Sequence, residues 1–232
     1  LSTLVECARA HSRSSDRARH GGYLAAFPPV EFDKVEALWT HGEAWVPHYA
    51  TQKVLSGLLL MHTELGLADA LPLTLGMAEY VWRRSAAVRA AKGEAHWSEL
   101  LDYEVGLLSE VYVQIAAATH NASWLQAAEL FDRRCFSGPL ALAGALHEQS
   151  SSAAAGRAAG AAGAAAGQTA FAQGSEEAAT AAGGVCGMHA NAQLAYILGS
   201  AARYEATGEP TARLATQAYF RQIQQKHTYL SG

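Results

Sequence analysis

The sequence of 232 residues is poor in cysteine, in proline, in charge and in long uninterrupted apolar runs. Its three cysteines, Cys7, Cys135 and Cys186, are too few and too far apart for a disulfide framework, and their odd number leaves the redox compartment open. Cys186 and His189 make a C-x-x-H pair, but a zinc site needs about four ligands and no second pair lies nearby in sequence. No window of about 18 apolar residues is free of charge, which argues against a membrane-spanning helix. The net charge is −4 and the lysines and arginines are scattered, so the basic stripe that nucleic-acid binding needs is missing. The chain starts at Leu1 without a basic segment leading into an apolar one. No targeting signal is legible, the compartment stays open, and the natural N-terminus is expected upstream.

Half of the residues are apolar, enough to bury a substantial core. Strand-like alternation is scarce, whereas apolar residues recur at helical spacing. The stripes are Val54, Leu58, Met61 and Leu65; Leu71, Leu75, Ala78 and Trp82; Leu108, Val111, Tyr112 and Ile115; Trp124, Ala128 and Phe131; and Leu194, Ile197, Leu198 and Ala201. The pattern predicts an all-α chain. A weak repeat of helix, tight polar turn and helix recurs around Gly66, Asn121 and Gly208, residues that tolerate positive φ, with helix starts at Asp69, Ser123 and Thr211. These read as αα-hairpins. The Asn121 to Gly208 interval exceeds the previous one by about the length of the Ala/Gly/Ser-rich tract 150–184. That tract has too few large apolar groups to offset the entropy of ordering it, and its glycines oppose helix. It reads as a disordered loop insertion in one domain spanning 1–232, with stacked hairpins suggesting a helical toroid or solenoid.

Three segments hold side chains suited to a polar ligand. Trp45, His48 and Tyr49 flank Pro47 before a helix; their rings would stack on the C–H face of a sugar, although composition alone favours their capping a core. Asp102, Glu104 and Glu110 are clustered carboxylates, the residue type that works in pairs in glycoside hydrolysis. Glu104 and Glu110 fall on roughly opposite faces of a helix, so they are not a catalytic pair. His189 and Asn191 lie where a long helix begins and together offer donors and acceptors for vicinal hydroxyls; helix capping is the simpler reading.

Seven motifs in order point further: "GYLAAFP" (22–28), "EFDKVE" (31–36), "WVPHYATQKVLSGLL" (45–59), "EVGLLSEVY" (104–112), "FDRRCF" (131–136), "HANAQLAYILGSAARYEATGE" (189–209) and "HTYL" (227–230). In this order they resemble the catalytic domain of glycoside hydrolase family 127, the β-L-arabinofuranosidase-like enzymes. The resemblance implies an (α/α)6 barrel of the six-hairpin glycosidase type, of which this chain would form part, and a carbohydrate partner with terminal arabinofuranose or a similar sugar. It also implies retaining hydrolysis by a cysteine thiolate with a glutamate acid/base and a zinc ion held by cysteines and a glutamate. Cys7, Cys135 and Cys186 match none of those positions, so no catalytic residue, metal ligand or cofactor is assigned in this chain. The catalytic segment is expected beyond Gly232.

Substrate recognition is what the resemblance carries over: His189, Asn191 and Gln193 from the "HANTQ"-like motif, Trp45 and Tyr49 from the aromatic loop, and Glu110 from "GGMNE". Gln52 stands where the family's "YTxHK" has a sugar-binding histidine; it still hydrogen-bonds a hydroxyl but carries no proton charge. Ala50, Ala192 and the run Gly106 to Glu110 are further departures. The leading reading is the sugar-recognising part of a zinc-dependent glycosidase. A non-catalytic carbohydrate-binding α-barrel and a helical-repeat scaffold remain as alternatives.

Overall fold

The computed structural model describes residues 1–13, 21–39, 46–103, 108–160 and 190–226. Helices α1 (Ser2–Arg13), α2 (Val30–Glu36), α3 (Pro47–Thr63), α4 (Ala70–Lys92), α5 (Glu94–Tyr103), α6 (Leu108–Thr119), α7 (Trp124–Leu130), α8 (Arg134–Gly160), α9 (Ala190–Thr207) and α10 (Pro210–Lys226) follow in order, with no strand among the described residues. The all-α class expected from the periodicity is what is found. The chain divides into two compact units, Leu1–Asp132 and Arg133–Gly232.

In the first unit α3 packs on α2, α4 and α6, α4 packs on α5 and α7, and α6 packs on α7. A run of aromatic rings joins these helices. Phe32 of α2 meets His48 of α3 at 5.0 Å, His48 meets Phe131 at 6.0 Å, and Phe131 meets Trp97 of α5 at 5.6 Å. Tyr112 of α6 stacks on Phe131 at 5.7 Å and on Trp124 of α7 at 6.0 Å. The polar tips of these rings are satisfied: the Tyr112 hydroxyl donates to the Ala78 carbonyl at 2.9 Å, and Trp97 Nε1–H donates to that of Leu130 at 2.8 Å. Burial without loss of hydrogen bonds makes large amphipathic rings strong core residues.

Ion pairs clamp α2 to α4. Arg84 reaches both Asp33 and Glu36, with its Nη2 2.7 Å from Glu36 Oε2. Burial lifts the Glu36 pKa in spite of Arg84, so the carboxylate's desolvation outweighs its pairing.

Helix formation follows the sequence closely at some ends and departs at others. Pro47 does not break a loop; it is the first residue of α3, where its missing N–H is an orphan anyway, so His48 and Tyr49 lie in the first helical turn. At the α6–α7 turn the left-handed residue is His120 (φ 52°) and not Asn121. The Asn121 N–H bonds the Ala116 carbonyl at 3.2 Å and its Oδ1 accepts from the Ser123 N–H at 3.0 Å, which closes α6 and starts the next turn. The stripes on α6 and α7 are buried as expected. On α3 the buried face is His48, Thr51, Gln52, Leu55, Leu58 and Leu59, while Val54 and Met61 are only partly buried, because polar residues share the inward face and shift its phase; Leu65 lies past the end of α3, in the turn, and is exposed. On α9 Leu194 and Leu198 are likewise exposed while Ala195, Tyr196 and Ile197 are buried.

The second unit packs α10 against α8 and α9. Its core is Phe136, Leu140, Ala143, Tyr196, Ile197, Ala215, Ala218 and Tyr219. Small residues let the helices approach: a Cβ on Gly144 would lie 2.6 Å from the Leu214 carbonyl oxygen. The α9–α10 turn is tied by Glu209, which pairs with Arg203 at 2.5 Å and accepts from the Thr211 hydroxyl at 2.6 Å. Helix α10 begins at Pro210, one residue before the expected start, as suits proline at a first helical position. Residues 150–160, assigned from sequence to the insertion, continue α8 as helix, in keeping with alanine's propensity; residues 161–189 lie outside the described residues.

Gly22 is the sharpest local requirement. Its φ is +89°, and a Cβ there would lie 2.2 Å from the Gly76 carbonyl oxygen of α4, so "GYLAAFP" meets α4 backbone to backbone. Gly22→Ala is expected to destabilise the chain by about 2 kcal/mol or more through positive-φ strain and the clash. Urea unfolding measures this, and a change below about 0.5 kcal/mol would contradict the packing.

Candidate functional site

The expected site residues fall into three groups. Tyr49, Gln52 and Glu110 belong to the first unit, on the paired helices α3 and α6. Asn191 and Gln193 belong to the first turn of α9 in the second unit. Trp45 and His189 lie outside the described residues, as do Glu104 and Cys186.

On the first unit, Lys53 joins what the sequence suggested separately. Its ammonium sits 4.9 Å from the centre of the Tyr49 ring, one helical turn back along α3. The same ammonium acts on the Glu110 carboxylate at the start of α6. Glu110 Oε1 also accepts from Gln114 Nε2 at 3.2 Å. Partial burial raises the Glu110 pKa and the Lys53 charge pulls it back down. The result is a surface patch with an aromatic ring, a cationic donor and an anionic acceptor. Spacing arguments missed Lys53 because a lysine beside a buried helix face is ordinarily only solvated; the signal was its register one turn after Tyr49.

Both helices also bury polar side chains. Gln52 is 6% exposed; its Nε2 donates to Ser56 Oγ at 2.8 Å, while its Oε1 has no hydrogen-bond partner. Thr51 Oγ1 and Ser109 Oγ are buried in the same condition, one on each helix. An unsatisfied buried polar atom costs about 1–3 kcal/mol. Gln52 is almost closed off from solvent. His48 is buried among the rings and belongs to the core.

On the second unit Asn191 is exposed at the start of α9. Gln193 is buried and its Oε1 accepts from the Tyr219 hydroxyl at 3.4 Å, which ties α9 to α10.

A family model described as "Beta-L-arabinofuranosidase, GH127 catalytic domain" matches residues 2–232. The chain belongs to this glycoside hydrolase family. No curated protein and no solved structure matches it. The family-127 resemblance implies zinc held by cysteines and a glutamate, and the described residues do not fit that demand. Cys7 and Cys135 are exposed, and no group of three His, Cys, Asp or Glu side chains among the described residues is placed to hold a metal ion.

The raised Glu110 pKa sets a sign for stability. A carboxyl whose folded pKa exceeds its unfolded one favours the folded state below the unfolded pKa, and that contribution is lost as pH rises through the folded value. Glu110→Gln should thus be more stable than the parent at neutral pH, with the gain shrinking as pH falls through the raised pKa. Thermal unfolding across pH measures this. A Gln variant that is less stable at neutral pH would mean that the carboxylate charge is structurally required.

Proposed function

We propose that this chain supplies the sugar-recognising part of a β-L-arabinofuranosidase-type glycoside hydrolase, binding a terminal arabinofuranosyl or similar residue. Membership of the family gives the glycoside hydrolase class and a carbohydrate substrate. The observation that carries the finer reading is the grouping of Tyr49, Lys53 and Glu110 at the α3–α6 surface. A vicinal diol needs both a donor and an acceptor within one small area, and Lys53 and Glu110 provide one of each. Tyr49 adds an aromatic ring beside them, the apolar complement to a sugar's C–H groups. Hydrogen bonds that involve a charged group are among the stronger ones and set orientation as well as affinity.

In the second unit, taken by itself, His189 and Asn191 of the family's motif are proposed as recognition residues, Asn191 through its exposed amide. Gln193 of the same motif is buried and bonded to Tyr219. Gln52, in place of a histidine, lowers the charge beneath the patch and favours a neutral sugar with its hydroxyls intact. Neither Cys7 nor Cys135 is assigned the thiolate role, so recognition, and not bond cleavage, is the function assigned to the described residues.

Calorimetric titration of L-arabinose and short arabinofuranosides into the parent chain, Lys53→Gln, Glu110→Gln and His189→Ala tests this. Each substitution should weaken binding roughly tenfold, equivalent to about 1.4 kcal/mol. Equal affinity in all four proteins, or no binding by any, would overturn the assignment.

A further inference from the structure

We infer that the first unit carries a second carbohydrate-contacting groove, walled by Trp82, Arg89, Glu94 and Gln126, which shares no residue with the Tyr49–Lys53–Glu110 patch. The groove has a volume of about 440 Å³ and lies between α4, α5 and α7, with Ala86 and Leu130 among its apolar lining. That volume falls in the range of about 300–1,000 Å³ usual for small-molecule sites. The inference rests on the carbohydrate reading above for the class of ligand, and on four observations for the place.

First, the Trp82 ring is half-buried and braced: it meets Trp124 at 5.5 Å, and Trp124 stacks on Tyr112 in the core. A ring fixed in this way binds without first losing rotamer freedom. Second, Arg89 and Glu94 are joined by a 2.6 Å ion pair across the corner at Gly93, which holds two long side chains at the rim. The pair leaves most of the guanidinium N–H groups and carboxylate lone pairs free to bond a ligand. Third, Gln126 is exposed and brings an amide with both donors and an acceptor.

Fourth, the two charges of the lining cancel. A groove that is neutral overall has no preference for a phosphate or for another strongly charged ligand. An aromatic ring, neutral mixed donors and acceptors, and an open shape fit instead a polyhydroxylated neutral chain, whose sugar rings offer a C–H face and a rim of hydroxyls. The groove would hold one or two sugar units of such a chain independently of the patch.

The test uses the full chain and an arabinofuranosyl trisaccharide, followed by ¹⁵N–¹H NMR with the Trp82 indole signal assigned through Trp82→Phe. The indole signal should move on titration, and Gln126→Ala and Arg89→Ala, both at exposed or rim positions, should each weaken that response at least threefold. Glu110→Gln should leave it unchanged. If signals from Lys53 and Tyr49 shift while the Trp82 indole stays fixed, the groove is refuted and the recognition patch stands. If the indole moves equally in the parent and in both rim variants, the groove is refuted as well. If no signal moves, the groove and the carbohydrate reading fail together.

Discussion

The packing of α3, α5 and α6 in the first unit depends on one buried ring they share. Phe131 follows α7 and touches His48 of α3, Trp97 of α5 and Tyr112 of α6, so a single side chain sets the spacing of three helices. It is 2% exposed, and rings of this size contribute heavily to cores, with truncation to alanine costing about 3–5 kcal/mol. The patch at the α3–α6 surface follows from that spacing. Lys53 can address both Tyr49 and Glu110 only because α3 and α6 are held side by side. The buried Thr51, Gln52 and Ser109 atoms without a hydrogen-bond partner work against stability.

The helical class was legible because it rests on periodicity, which does not need the third dimension. Leu108, Val111, Tyr112 and Ile115 are all fully buried, as their spacing predicts. Where the inward face of a helix includes polar residues, apolar counting rotates the answer. On α3 it selected Val54 and Met61, which are only partly buried, and passed over Thr51 and Gln52, which are buried. Turn chemistry was half legible. Gly66 and Gly208 adopt positive φ as expected, but His120 takes the left-handed place beside Asn121, whose side chain is used instead to bond the Ser123 N–H. Both residue types tolerate that conformation, so sequence alone had no way to choose between neighbours.

The candidate site divides in the same way. Tyr49 and Glu110 were selected by residue type and by the family's motifs, and the structure relates them through Lys53. That link depends on two helices meeting, which no local pattern encodes. Gln193 carries a signal of the opposite kind: a polar residue within a ligand-like motif that is buried and bonded to Tyr219. A glutamine offers the same four groups to a sugar as to a neighbouring helix, and only the fold decides which it meets. The family match covers nearly the whole chain, so the glycoside hydrolase class rests on many positions at once, while the recognition roles rest on a few.

The central claim, that Phe131 couples α3 to α6 and thereby builds the patch, is tested most directly by native-state hydrogen exchange in Phe131→Leu. The account predicts that amides of α3, α6 and α7 lose protection together, by roughly tenfold or more, as one cooperative unit. Loss confined to α7, with α3 and α6 protected as in the parent, would contradict it.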